Sequence, residues 1–327
     1  MRIYRFLLLL FSTGCLFLSC QTKPKSGYVE IPTVTEHALS GVYNLSPKHP
    51  TTKIYYEELG SGEPLILLHD HALDCRMWDG VFAKLAKQFR VIRYDLRGYG
   101  HSDNPEVGFG YLHADDLKNL MDALHIQKAH VTGVSLGGMT LAEFVALYPE
   151  RALTATIASG ALSGFPDRTF VKKELVKIYN DTIFKLKRLD VVKNQQKGMD
   201  SLKMEMKAAM KYASGKKYRK IRRDLFQMID EWSGWHLMNP EVDAFIGAQA
   251  DQLLKAQKKQ PPVLFLIGQF DSKPSKKSMQ RMGAMCKGSV IQIIPNSGRY
   301  IPMEFPKAFV KLLTEFARTH KISKEIK

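Results

Sequence analysis

One serine in this 327-residue chain has the sequence context of a catalytic nucleophile. The run Gly133-Val134-Ser135-Leu136-Gly137 matches the pattern G-x-S-x-G and lies between a predicted strand and a predicted helix. Small residues flank the serine in this pattern because the turn between the two elements is tight and crowded. The turn lifts the hydroxyl out of the sheet and places the backbone N–H of the next residue beside it. The pattern therefore predicts Ser135 as a nucleophile and Leu136 as one donor to an oxyanion.

The elements on both sides of this serine alternate between strand and helix. Short apolar or alternating runs predict strands over residues 53–59, 65–68, 91–95, 130–133, 153–158, 263–267 and 290–294. Helical patterns occupy residues 78–88, 112–124, 136–148 and 306–317. This alternation predicts an α/β fold, with a mostly parallel central sheet flanked by helices.

A block rich in lysine and methionine interrupts the alternation. Residues 165–259 are helical in pattern and contain no strand-like run, so we interpret them as an inserted helical lid between the core segments 41–164 and 260–327. Four methionines fall inside this lid and could line an acyl pocket: Met199, Met204, Met206 and Met210. Packing between helices explains them better, because methionine is a flexible core filler.

Three further motifs follow the same order along the chain as in one known family. The loop Asp95–Ser102 is similar to its D-x-R-G-x-G-x-S loop, and Met77-Trp78-Asp79 resembles the helix start after its oxyanion loop. Gly268-Gln269-Phe270-Asp271 lies where that family carries the acid of its triad. With the Ser135 turn, these motifs resemble the α/β-hydrolase family, in its lidded subgroup of esterases, lactonases and haloperoxidase-like enzymes. Over residues 53–317 the resemblance implies an α/β-hydrolase fold, Asp271 as the acid, and a small-molecule substrate.

The oxyanion loop departs from the family pattern. The family has His-Gly there, and this chain has His69-Asp70 followed by His71. Aspartate tolerates some unusual backbone angles, but it can also bring a carboxylate towards the oxyanion site. A negative charge aimed at that site would oppose catalysis, whereas a carboxylate pointing away would leave it intact. The candidate oxyanion residues are accordingly Leu136, His71 and Asp70.

A second departure removes the expected catalytic histidine. The segment Ile293–Pro306 resembles the end of the family's fold, except that Arg299 occupies the histidine position. A proton shuttle needs a pKa near the working pH, and arginine stays protonated. We expect Arg299 to pair with Asp271, short-chain esters to be turned over near background, and Arg299→His to raise that turnover.

Two histidines could replace the missing base. His71 lies in the oxyanion loop, and His236 could reach the serine from the lid, although each is more often a packed or surface residue. His69 and His101 occupy positions that are structural in the family. The chain is therefore either a serine hydrolase of ester, lactone or thioester bonds with a degenerate triad, or a catalytically silent relative. The silent relative would bind a small apolar or anionic ligand at a membrane surface.

The N-terminus has the pattern of an exported protein. Arg2 and Arg5 precede an apolar stretch, and residues 1–19 resemble a signal peptide. The pair Ser19-Cys20 resembles a relaxed bacterial lipobox, which implies lipidation of Cys20, a tether over residues 20–40, and anchoring to a bacterial membrane facing the periplasm. An ordinary secretory peptide is the alternative, and Cys15 is a weaker lipidation site.

The charge of the chain is concentrated in one segment. The net charge is +16, and residues 168–223 hold 18 Lys and Arg against five Asp and Glu. The excess indicates either a solvated helical face or attraction to an anionic partner, such as phospholipid headgroups or an acidic substrate. Nucleic-acid, metal and nucleotide motifs are not visible, so we expect no nucleic-acid partner and no cofactor. Cys75 and Cys286 are predicted to be separate buried thiols.

Overall fold

The computed structural model describes residues 23–37, 46–160, 195–238 and 249–323, and these residues form an eight-stranded sheet with flanking helices. The strands are β1 (Lys25–Pro32), β2 (Thr51–Leu59), β3 (Pro64–Leu68), β4 (Arg90–Tyr94), β5 (Ala129–Val134), β6 (Ala152–Ala158), β7 (Val263–Gly268) and β8 (Val290–Ile294). Their order across the sheet is β1-β2-β4-β3-β5-β6-β7-β8. The β1–β2 and β2–β4 pairs are antiparallel, and every later pair is parallel. The predicted α/β-hydrolase fold is confirmed.

Helices connect and cover these strands. They are α1 (Asp79–Leu85), α2 (His113–Ala123), α3 (Leu136–Leu147), α4 (Gln195–Ala213), α5 (Tyr218–Glu231), α6 (Trp235–Met238), α7 (Gln249–Ala256), α8 (Lys273–Met285), α9 (Ile301–Glu304) and α10 (Pro306–Thr319). Two 3-10 helices span Cys75–Trp78 and Pro149–Arg151. The central strands β5 and β7 are buried at every position, because a parallel sheet of this kind is covered on both faces.

Part of the stretch predicted as a tether belongs to the sheet. Residues 25–32, predicted as part of a tether over 20–40, form β1 and pair with β2 along its whole length. Val29 and Ile31 are buried there, so this stretch belongs to the core. The signal peptide, Cys15 and Cys20 lie outside the described residues. Helix α8 was also not predicted, because Met279 and Met282 are its only buried positions and leave a weak apolar pattern.

In its described parts the inserted segment contains the helices α4, α5 and α6, joined by short turns, and the helix α7, and it contains no strand. The four methionines singled out in this segment differ in burial. Met199 and Met210 are buried, Met206 packs at the edge of the core, and Met204 is exposed. Cys75 and Cys286 are separate buried thiols, as expected. No helix in the described ranges is long and apolar enough to cross a bilayer.

Candidate active site

Ser135 sits on a strained turn between β5 and α3. Its backbone has φ 49° and ψ −102°, a positive φ that non-glycine residues rarely adopt. The neighbouring glycines allow this turn, since a Cβ at Gly133 would collide with the carbonyl of Gly137, and one at Gly137 would collide with the carbonyl of Leu68. The hydroxyl of Ser135 makes no hydrogen bond to any residue that the structure describes. The predicted elbow is therefore built, but its serine has no base among these residues.

The backbone donors predicted for an oxyanion are both occupied by the side chain of Asp70. The N–H of Leu136 donates to Oδ1 of Asp70 at 3.3 Å, and the N–H of His71 donates to the same oxygen at 2.7 Å. Leu136 and His71 are both residues that the sequence predicted for the oxyanion site. Asp70 is only 1% exposed. Its carboxylate faces both N–H groups, so it brings a negative charge to the predicted oxyanion site.

His69 holds the loop that presents Asp70. Its Nε2 accepts the N–H of Leu96 at 2.9 Å, so in the neutral ring Nδ1 carries the proton and donates to the carbonyl of Asp70 at 2.8 Å. With both ring nitrogens engaged, His69 is structural, as the family resemblance implied. His101 is exposed and lies against the carboxylate of Asp95, at 3.4 Å.

Arg299 pairs with Asp70 rather than with Asp271. Its Nη1 lies 3.8 Å from Oδ2 of Asp70. The two oxygens of Asp271 accept the N–H of Ser272 at 2.9 Å and the hydroxyl of Ser275 at 3.0 Å. The prediction of an Arg299–Asp271 pair was wrong, because local hydrogen bonds satisfy Asp271 and the carboxylate in the oxyanion hole is the nearer partner.

The charge of Arg299 is fixed by these surroundings. Burial disfavours the cation, but Asp70, then Tyr300 and Asp271, outweigh it and raise the pKa of Arg299 above its ordinary value. Its side chain is 32% exposed, and Nε makes no hydrogen bond. Arg299 is thus a permanent cation beside the carboxylate of Asp70.

A buried carboxylate organises the loop that carries Arg299. Glu304 accepts the hydroxyl of Ser297 at 2.7 Å, the N–H of Gly298 at 2.8 Å and the N–H of Gly215 at 2.6 Å. Sequence reasoning did not single out Glu304, although it lies in the segment that resembles the family. The backbone of Arg299 is then tied to the inserted segment by its N–H, which donates to the carbonyl of Ala213 at 2.7 Å.

His71 and His236, the two candidate replacement bases, both contact groups other than Ser135. Nδ1 of His71 lies 2.6 Å from the hydroxyl of Tyr99, and Nε2 of His236 lies 3.2 Å from the carbonyl of Arg97. The ring of His236 also stacks on Tyr99, with centroids 4.6 Å apart. Burial lowers the pKa of His71 to about 4, helped by His69 and Arg299, and it lowers that of His236 to about 4 as well. Both rings are therefore neutral and weakly basic at neutral pH.

One buried cluster combines potential metal ligands, namely Asp74, Cys75 and Asp95. The oxygens of Asp95 accept the N–H groups of Cys75 at 2.7 Å and His101 at 2.8 Å. Asp74 is paired with Arg76 at 2.6 Å. Burial raises the pKa of the Cys75 thiol, which keeps it protonated. The cluster serves internal hydrogen bonding, and we assign no ligand to it.

A mostly parallel sheet that presents a serine at a strand–helix turn, with an acid after a later strand, defines a class of proteins. The chain belongs to the α/β-hydrolase family, whose model, described as the alpha/beta hydrolase fold, matches residues 63–306. It is similar to the pimeloyl-[acyl-carrier protein] methyl ester esterase of Pectobacterium carotovorum, with 26% identity over 81% of this chain and 98% of that protein. A second relative, the 2-hydroxy-6-oxo-6-phenylhexa-2,4-dienoate hydrolase of Comamonas testosteroni, is 36% identical over 30% of this chain and 36% of its own length.

Other curated relatives are matched over only part of their length. The chain spans 27% to 40% of five of them. Among solved structures, a thermophilic esterase from Thermogutta terrifontis superposes with a TM-score of 0.69 at 23% identity, over 90% of this chain and 100% of that one. The enol-lactonase from Burkholderia xenovorans gives a TM-score of 0.64 at 21% identity, over 81% and 96%. At these identities the superpositions establish the fold.

Proposed function

We propose that this protein is a catalytically silent α/β-hydrolase that binds a small ligand at the site of Ser135. One observation carries the proposal: the N–H groups of Leu136 and His71 both donate to Oδ1 of Asp70. A tetrahedral intermediate needs these donors for its oxyanion, and a carboxylate already holding them repels that charge. Arg299 adds to the block because it cannot take the proton of the serine.

The charges of the site favour a neutral ligand. Arg299 is neutralised by Asp70, and Asp271 leaves one further negative charge nearby. An anion would gain little from a cation that is already paired, so the apolar alternative is preferred over the anionic one. The esterases and lactonases to which the chain is similar act, by their names, on esters and lactones. We therefore propose a neutral ester or lactone, bound without being hydrolysed.

We expect the protein to bind neutral esters and lactones without hydrolysing them. Thermal melting of the full chain would be measured with a set of neutral esters and lactones, and the same mixtures would be analysed for released acid. We expect a raised melting temperature, intact ligand, and no labelling of Ser135 by a fluorophosphonate probe. Steady release of acid that disappears in Ser135→Ala would contradict the proposal.

A competing proposal is slow hydrolysis with a displaced base. The strained backbone of Ser135 favours it, because strain of this kind is kept mainly at functional sites. His71 is the better placed of the two candidates, since its own N–H lies in the oxyanion hole. Under this alternative, His71→Ala would abolish turnover while leaving the fold intact.

The site would be held at a membrane. The resemblance of Ser19-Cys20 to a lipobox supports a lipid on Cys20 and a location at a bacterial membrane facing the periplasm. Because β1 begins at Lys25, the tether between the lipid and the domain would be short. The domain would then remain close to the lipid surface.

A further inference from the structure

The turn between α4 and α5 carries a dense group of positive charges. We call residues 211–223 the basic corner, and its exposed cations are Lys211, Lys216, Arg219, Lys220, Arg222 and Arg223. No acidic residue occurs between Glu205 and Asp224. The buried face of α5 consists of Ile221, Leu225, Met228 and Ile229. Helical spacing places the cations on the opposite, outer face.

The described part of the chain offers the corner few compensating acids. Among the described residues, Arg223 is the one exposed cation of the corner that forms an ion pair, with the adjacent Asp224 at 3.2 Å. The acids at the other end of α5 are used elsewhere, since Asp230 binds Lys207 and Glu231 binds Arg76. The positive charge of the corner therefore faces solvent with little compensation.

Local helix energetics do not explain this arrangement. Cations stabilise the C-terminal end of a helix and oppose the dipole at its N-terminal end. Helix α5 carries its cations in the first turns, has no acid in the first turn and has no side-chain cap. A merely solvated face would not require charges placed at the unfavourable end. Binding to an external anionic partner would offset the unfavourable interaction of these cations with the helix dipole.

An exposed aromatic side chain lies within the corner. Tyr212 is 82% exposed, and Met204, two turns earlier on α4, is 69% exposed. Positions i and i+8 fall on the same stripe of a helix, so Met204 and Tyr212 project towards the same side of α4. Tyrosine beside lysine and arginine is the composition that favours the interface of a bilayer.

We propose that the basic corner docks on a bilayer containing anionic phospholipids. Charge complementarity selects the phosphate headgroups, and Tyr212 with Met204 supplies the apolar contact that a soluble polyanion would not use. The proposal does not depend on the silent character of the Ser135 site. It concerns a separate surface of the inserted helices.

The corner is joined to the loop of Arg299 by backbone hydrogen bonds. The N–H of Lys216 donates to the carbonyl of Asn296 at 3.0 Å, and the N–H of Arg299 donates to Ala213. A Cβ at Gly215 or at Gly298 would collide with the facing backbone. The docking surface and the loop of Arg299 thus form one tightly packed unit.

The test compares two variants with the same change of net charge. All proteins carry Cys20→Ser in the full chain, so that no lipid contributes. One variant has Lys216→Gln, Arg219→Gln and Arg222→Gln, and the control has three exposed lysines changed to Gln elsewhere: Lys87, Lys128 and Lys311. Co-sedimentation is measured with vesicles of phosphatidylglycerol and phosphatidylcholine, and with phosphatidylcholine alone, as salt is raised.

We expect the corner variant to lose affinity for the anionic vesicles on the order of a hundredfold at low salt, since each cation contributes roughly fivefold. The control should change by less than about threefold, and binding should weaken towards physiological salt. Equal losses in the two variants, equal binding to neutral vesicles, or tighter binding to duplex DNA than to vesicles would each overturn the proposal.

A second variant separates the apolar contact from the charge. Tyr212→Ser should weaken vesicle binding severalfold without changing its salt dependence, because it removes buried apolar area and no charge. The matched control is Tyr28→Ser, an exposed tyrosine on β1. If both tyrosine variants bind like the parent protein, Tyr212 does not enter the bilayer and the contact would be that of a soluble polyanion site instead.

Discussion

Asp70 and Arg299, the two departures from the family pattern, face each other as one ion pair, with Nη1 of Arg299 3.8 Å from Oδ2 of Asp70. In the sequence they lie 229 positions apart and look like two independent losses. In the structure, the carboxylate of Asp70 is the ion-pair partner of Arg299. Under the proposed function this pair covers both the predicted oxyanion site and the predicted position of the base, so we expect the two changes to act as a unit.

The first prediction follows from that pairing. The sequence by itself suggested that Arg299→His would raise ester turnover, but the carboxylate of Asp70 would still occupy the oxyanion hole. We expect Arg299→His and Asp70→Gly each to stay near background, and the double variant to gain about 100-fold or more. Initial rates with short-chain esters would measure this. The gain should vanish when Ser135→Ala is added, and a single variant as active as the double would show that the pair is not the block.

The glycines around Ser135 are predicted to be irreplaceable. A Cβ at Gly137 would meet the backbone of Leu68, so Gly137→Ala should destabilise the fold by roughly 3 kcal/mol or prevent folding. Gly108 has a positive φ, unlike Gly137, but nothing lies within 4 Å of its Cβ position. Gly108→Ala should therefore cost only about 1 kcal/mol. Denaturant unfolding of both variants would check the difference, and equal losses would contradict the crowding argument.

Glu304 is predicted to be a structural anchor of the Arg299 loop. Its buried carboxylate accepts three hydrogen bonds, so Glu304→Ala should lower the free energy of unfolding by roughly 2–4 kcal/mol. The exposed Glu150 provides the control, and Glu150→Ala should change stability by less than about 0.5 kcal/mol. Urea unfolding would measure both. A loss at Glu304 no larger than that at Glu150 would show that the loop is held by other contacts.

Stability should fall in weak acid, and the partly buried His71 and His236 should contribute to that fall. His71 and His236 have pKa values of about 4 in the folded protein, below the ordinary 6.5 of the unfolded chain. The folded state therefore binds fewer protons, and its stability is complete above about pH 6.5 and decreases as the pH falls towards 4. Melting temperatures between pH 7.5 and 4.5 would show this loss, as an order-of-magnitude estimate several degrees. His71→Gln and His236→Gln should each flatten the profile, and an unchanged slope would mean that other groups carry it.

Lipidation is the prediction that concerns the N-terminus. Cells expressing the wild-type chain should incorporate labelled palmitate and hold the protein in the membrane fraction, because Ser19-Cys20 resembles a lipobox. Cys20→Ser should stop the incorporation of label. Cys15→Ser is the matched control and should leave it unchanged. If the wild-type chain takes up no label, Cys20 is not lipidated and the lipid-anchoring prediction fails.

Much of the fold could be predicted from local patterns. The strand runs, the turn at Ser135 and the acid at Asp271 are encoded in short stretches, because apolar periodicity and tight-turn chemistry act over a few residues. Strand β1 was missed because only Val29 and Ile31 of its eight residues are buried, and its hydrogen bonds to β2 come from a partner distant in sequence. Helix α8 was missed for the related reason that two buried methionines make no clear stripe.

The sequence by itself determined which chemical groups the candidate site has: Ser135 in a tight-turn motif, Asp271, Asp70 and Arg299. It could not say where those groups point, and the expected pair of Arg299 with Asp271 was wrong. Only the tertiary structure placed the carboxylate of Asp70 on the N–H groups of Leu136 and His71 and brought Arg299 to it. The reason is physical, since a side chain's direction and its charge partner depend on elements that are remote in the chain and adjacent only after folding.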